Sequence, residues 1–191
     1  MRSLLIFSIT VIFLSSFIVL ESLQPENEIK KYIGNSVPYI GSEIPRIDGI
    51  DGTGIKIAII DTGVDFNHPD LFGWGPNGKV IGGHNFIQEN QLPMDTNGHG
   101  TKVAGIIAAD GNVSGVAPKA KILAYKVSED GEGVSSELIK GAIEKAIEDE
   151  ADIINISLGV NRTNSKIDSA VNYALDKGIF VVTAAGNDGP K

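Results

Sequence analysis

Four short runs of apolar, mostly β-branched residues punctuate the chain, at 55–60, 122–127, 153–157 and 179–183. Each is too short for a buried helix and is apolar on both faces, which predicts strands of a sheet covered on both sides. Between them the apolar positions change period. Val103, Ile106 and Ile107 follow His99; Leu138, Ile139, Ala142, Ile143, Ala146 and Ile147 recur at three and four; Ile167, Ala170, Val171, Ala174 and Leu175 do the same. That spacing lays one apolar stripe along a helix. The last helix is predicted to open on a capping box, Ser165 with Asp168, and to stop at Gly178. Strand and helix in alternation predict an α/β fold, a doubly wound and mostly parallel sheet.

The N-terminus departs from this alternation. Residues 4–20 form an uncharged, strongly apolar run behind Arg2, a little long for a signal peptide and just long enough to cross a bilayer. Leu20-Glu21-Ser22 is a poor cleavage site, so residues 1–22 are read as a signal peptide or an N-terminal membrane anchor. Either reading exports the rest of the chain, and the protein is expected outside the cell, free or anchored by this segment. Residues 23–34 are polar and read as a linker, and 35–191 as one domain.

Composition narrows the function. Sixteen Lys and Arg against 24 Asp and Glu leave a net charge of -8, which repels phosphate backbones. With no local basic patch, nucleic acid is excluded as a partner. The absence of Cys removes disulfides, thiolate nucleophiles and Cys-based zinc sites. A monomer is expected.

Open α/β sheets bind ligands at the carboxyl ends of their strands, where this chain has Asp61, Ser157 and Asn187. Its most informative segment is elsewhere. In 97–105 His99 sits between two glycines at the mouth of an apolar helix, where the backbone can be approached and the imidazole stays accessible. Asp61, His99 and Asn187 could converge on one crevice as a carboxylate, an imidazole and an amide donor.

Asp61-Thr62-Gly63-Val64-Asp65, His99-Gly100-Thr101-Lys102-Val103-Ala104-Gly105 and the segment 184–189, in this order, resemble the three motifs of the subtilisin-like serine peptidases. Intervening segments are also similar: Asn67-His68-Pro69-Asp70-Leu71, Gly115-Val116-Ala117-Pro118, Ala124-Tyr125-Lys126-Val127 and Ile154-Asn155-Ile156-Ser157-Leu158-Gly159. Ser36-Val37-Pro38-Tyr39 looks like the start of the family's mature domain.

The resemblance implies an endopeptidase acting on polypeptides. His99 would be the general base, Asp61 its orienting carboxylate and Asn187 the oxyanion donor. Gly131, Glu132 and Gly133 would face Ser157, Leu158 and Gly159 across an extended substrate, and Ala184, Ala185 and Gly186 would line the first specificity pocket. The family's serine motif lies well beyond its asparagine motif, so the nucleophile is expected after Lys191 and the fold to be truncated before its C-terminal elements. Ser157 is not expected to replace it, because Asn155 stands where a nucleophile elbow needs Gly. Asp70 and Asn35 match the family's calcium ligands by type, although the loop at 110–114 is short for that site. Lys102 occupies a position that is usually His or a small or apolar residue, next to the expected pocket of His99.

Other readings fare worse. Asp61-Thr62-Gly63 is also the aspartic-peptidase triplet, but that chemistry needs two such carboxylates on a β-rich fold. The run 73–79 has the glycines and lysine of a phosphate loop, yet Val80 replaces the Ser or Thr that would hold magnesium. His68 and His84 lack zinc-ligand spacing with His99. A binding module that had lost its nucleophile would have no chemical reason to keep Asp61, His99 and Asn187 together.

Overall fold

The computed structural model describes residues 31–32, 36–131, 133–159 and 164–187. The chain divides into two compact units, Met1–Lys30 and Lys31–Lys191, and every described residue belongs to the second. Residues 1–22, expected to direct export, most of the expected linker, Asn35 and Glu132 lie outside the described residues.

Seven strands are described: β1 (Lys31–Tyr32), β2 (Lys56–Asp61), β3 (Val80–Asn85), β4 (Val113–Ser114), β5 (Lys121–Lys126), β6 (Ile153–Ile156) and β7 (Phe180–Thr183). The helices are α1 (Ser36–Tyr39), α2 (Glu43–Ile47), α3 (His99–Ala108), α4 (Ser136–Glu148) and α5 (Ser165–Asp176). β1 and β4 form a small parallel pair. The main sheet has the order β3-β5-β2-β6-β7, and all its pairings are parallel. Its α/β architecture is the one the alternating pattern predicts. From β2 the chain first builds one side of the sheet and then returns past β2 to build the other, an arrangement that opens a crevice at the carboxyl ends of the central strands.

Alternation along the strands separates two cores. Ala58, Ile60, Leu123, Tyr125, Ile154 and Ile156 pack with Ile139, Ala142, Ile143 and Ala146 of α4 and with Ala170 and Ala174 of α5. On the other face Ile57, Ile59, Val80, Ile122 and Ala124 pack with Ala104 and Ala108 of α3. Period two carries this assignment to the strand ends: Asp61 follows Ile57 and Ile59 onto the α3 face, as does Lys126 after Ile122 and Ala124. β7 is less covered. Phe180 and Val182, paired with Ile153 and Asn155 of β6, are 72% and 53% exposed.

One strand was not foreseen in the sequence and one sequence expectation is corrected. The run 80–85 carried no strand signal, because Gly82 and Gly83 interrupt it, yet it forms β3. Gly83 is required there: a Cβ would lie 1.8 Å from the Ala124 carbonyl oxygen on the neighbouring strand. The capping box of α5 also falls one residue late. Asn164 is the N-cap, its side chain accepting the Lys166 amide at 3.0 Å, and Ser165 is already helical. Among the described residues no helix is long and apolar enough to cross a membrane.

Candidate active site

Asp61 ends β2 and is fully buried; His99 is the first residue of α3. The sheet and the helix bring them into contact, with His99 Nδ1 2.7 Å from Asp61 Oδ1. A carboxylate can only accept, so Nδ1 carries the proton and Nε2 of the neutral ring keeps its lone pair. Asp61 Oδ1 also accepts the Thr62 amide at 2.7 Å. Asp61 Oδ2 is buried without a hydrogen-bond partner among the described residues. An unsatisfied acceptor of this kind costs about 1–3 kcal/mol and is most readily explained where the group's charge is used.

The start of α3 is held by side chains from outside the helix. Its N-cap is Gly98, with φ of 99° and no side chain to cap with. Asn97 Oδ1 accepts the His99 amide at 3.2 Å, Thr62 Oγ1 the Gly100 amide at 3.0 Å, and Asp95 Oδ2 the Thr101 amide at 2.9 Å. Three of the orphan donors of a helix N-terminus are thereby satisfied. Lys126 is buried at the end of β5, next to Asp61 in register, and its ammonium donates to the Met94 carbonyl at 3.1 Å and to Thr96 Oγ1 at 3.3 Å. It also pairs with Glu129 at 2.8 Å, a contact that holds the Glu129 carboxyl below the usual glutamate range. Thr62, Asp95, Thr101 and Lys126 were not singled out as site residues from sequence, since nothing in the local pattern marks a side chain that works across the fold.

The other expected site residues lie along the same rim. Gly131 and Gly133 follow β5 with positive φ, and the Gly131 amide donates to Ser128 Oγ at 2.9 Å. Ser157, Leu158 and Gly159 follow β6. The Ser157 hydroxyl accepts Asn155 Nδ2 at 2.8 Å and is not bonded to His99. Ala184, Ala185, Gly186 and Asn187 follow β7 and are exposed, with the Ala184 amide extending the ladder to Ile156 O at 3.1 Å. Asn187 therefore stands beyond the end of β7, which is two strands from β2, about 10 Å by strand spacing. Of the catalytic candidates Asp61, His99 and Asn187, the first two are the pair joined by a hydrogen bond among the described residues.

Asp70 is buried near the start of the segment that leads to β3. Its Oδ1 accepts the Asn112 amide at 2.6 Å, and Gly111 packs so closely that a Cβ there would lie 2.2 Å from that oxygen. No group of three or more His, Cys, Asp or Glu able to hold a metal ion occurs among the described residues. Asn35, the other ligand expected by type, lies outside the described residues. Lys102 is exposed and lines a cavity of about 390 Å³ with His68, Asp70, Leu71 and Ile106, on the flank of α3. Neither Asp61 nor His99 lines that cavity.

Comparison with known proteins places this geometry. The model of the subtilase family matches residues 52–191. Thermitase of Thermoactinomyces vulgaris is 45% identical over 146 residues, which cover 74% of this chain and 50% of that protein. Subtilisin E of Bacillus subtilis is 41% identical over 173 residues, covering 86% of this chain and 43% of that protein. The minor extracellular protease Vpr of the same organism is 38% identical over 176 residues, covering 86% of this chain and 22% of that protein. The chain thus spans half or less of the length of these relatives. A family match that takes in α3 and the ends of β2, β5, β6 and β7 leaves one assignment: the chain belongs to the subtilase family.

Proposed function

We propose that this chain carries the general base, the orienting carboxylate and the oxyanion donor of a secreted serine endopeptidase. The observation that carries the reading is the 2.7 Å contact between His99 Nδ1 and the buried Asp61 carboxylate. It leaves Nε2 as the basic nitrogen, free to take the proton of a serine hydroxyl and return it to the leaving amine, while Asp61 stabilises the imidazolium formed between. The nucleophile in this reading is a serine hydroxyl. Asn187, exposed at the rim, donates its side-chain amide to the oxygen that becomes negative when the scissile carbonyl turns tetrahedral.

A polypeptide substrate lies extended between the segments at 131–133 and 157–159, pairing its backbone with theirs. The small side chains of Ala184, Ala185 and Gly186 leave room for a large substrate residue. Residues 4–20 direct export.

The test is hydrolysis of an unstructured polypeptide by the full-length protein and its labelling by a fluorophosphonate. His99→Ala is expected to lower kcat by about 10⁶-fold, since the members of such a triad act as a unit. Asn187→Ala is expected to lower kcat by about 10²- to 10³-fold with KM little changed, because the oxyanion exists only in the transition state. Full activity in His99→Ala, or an Asn187→Ala effect confined to KM, overturns the assigned roles.

A further inference from the structure

We propose that Asp95 is a positioning residue for the Asp61–His99 pair, acting through Thr62 and the first turn of α3. Asp95 stands on the loop before the helix, nearly buried, and accepts hydrogen bonds from two directions. Its Oδ1 takes the Thr62 hydroxyl and the Asn97 and Gly98 amides, each at 2.9 Å. Its Oδ2 takes the Thr101 amide at 2.9 Å and the Thr101 hydroxyl at 2.5 Å. Thr62, having donated to Asp95, accepts the Gly100 amide at 3.0 Å. The residue after Asp61 and the residue after His99 are therefore tied to each other and to one carboxylate. The Thr101 hydroxyl then passes the tie back to the β2 side by accepting the Asp65 amide at 2.9 Å.

All five donors need an acceptor, so the group at this position must have no hydrogen of its own to offer. Burial works to raise the Asp95 carboxyl. The Thr101 hydroxyl and the Gly98, Thr101 and Asn97 amides outweigh it and hold the group below the usual aspartate value. It remains ionised and purely accepting. An asparagine there would turn an NH₂ against either Thr62, Asn97 and Gly98 or Thr101, and would loosen one side of the tie.

The kinetic arm rests on the peptidase reading above; the structural arm does not. In the full-length protein, the His99 Nδ1 proton bonded to Asp61 is read by its low-field NMR resonance, with circular dichroism as the check on folding. Asp95→Asn is expected to shift or broaden that resonance in a folded chain. In the full-length enzyme it is expected to lower kcat by about 10- to 100-fold with little change in KM, the scale typical when a group that orients a functional side chain is lost. Thr62→Val is expected to act in the same direction and Thr62→Ser to preserve both readouts, and this pair decides the matter if Asp95→Asn does not fold. A cap that only stabilises the helix would lower the melting temperature and leave the resonance and kcat in place, which overturns the proposal. A full-length protein without peptidase activity, its resonance still responding to Asp95→Asn, overturns the functional reading and leaves this one standing.

Discussion

Gly100 stands where a side chain cannot. A Cβ there would lie 2.1 Å from the Gly63 carbonyl oxygen and 3.1 Å from Asp61 Oδ1, so the missing carbon is what lets the helix bring His99 against the end of β2. Gly63 makes the matching concession, with φ of 102° and a hypothetical Cβ 2.6 Å from the Pro93 carbonyl. Backbone atoms are the obstacle in both cases, and they cannot swing aside as a side chain can. Gly100→Ala is therefore expected to destabilise the fold by about 1–3 kcal/mol, as overpacking of a tight site does. It is also expected to separate the imidazole from the carboxylate. Urea unfolding measures the first effect, and the His99 Nδ1 proton resonance reports the second.

At the scale of elements, α4 is fastened to the sheet by more than its apolar stripe. Tyr125, fully buried on β5, donates its hydroxyl to Asp149 Oδ2 at 2.8 Å, and Asp149 also pairs with Lys145 one turn earlier. Tyr125→Phe removes the donor and leaves Asp149 its lysine, so a loss of about 0.5–1.5 kcal/mol is expected in chemical denaturation, without change of fold. The stripe of α4 and the continuous runs of β2, β5, β6 and β7 were legible in the sequence because each is set by local period and β-branching. β3 was not, because its two glycines answer to the closeness of β5 and carry no strand propensity of their own. The α5 cap was misplaced for a smaller reason: Asn164 and Ser165 are both good cap residues, and only the backbone separates them. Asp61 and His99 were legible through their motifs. Asp95 was not, since its partners Thr62 and Thr101 become neighbours of one carboxylate only when β2 and α3 meet.

For the whole molecule the perturbed groups set a pH window of stability. Asp95 is held low by donors that overcome its burial, and Glu137 by its hydrogen bond and charge pairing with Lys166. Each binds a proton more weakly folded than unfolded. Their contribution is complete above the unfolded carboxyl values, about 4, and is lost as pH falls through the lower folded values. Tyr125 runs the other way. Its burial and the neighbouring Asp149 push the phenol well above its ordinary value, so its contribution is present below about pH 10 and fades as pH rises beyond it. Melting temperatures measured from about pH 3 to 11 are expected to be level through the middle and to fall at both ends, with Tyr125→Phe flattening the alkaline limb.

β2 gives its odd positions to one core and its even positions to the other, and Asp61 owes its place beside His99 to that count. Parity therefore constrains how the gene can change. One codon inserted within β2 would exchange the two faces, turning an isoleucine toward the imidazole and a carboxylate toward the oily side of α4. The exposed stretch around Ile87 and Leu92 is under no such rule, because Asp95 fixes the helix after the detour is over. Length can drift there while the strand keeps its reading frame of two.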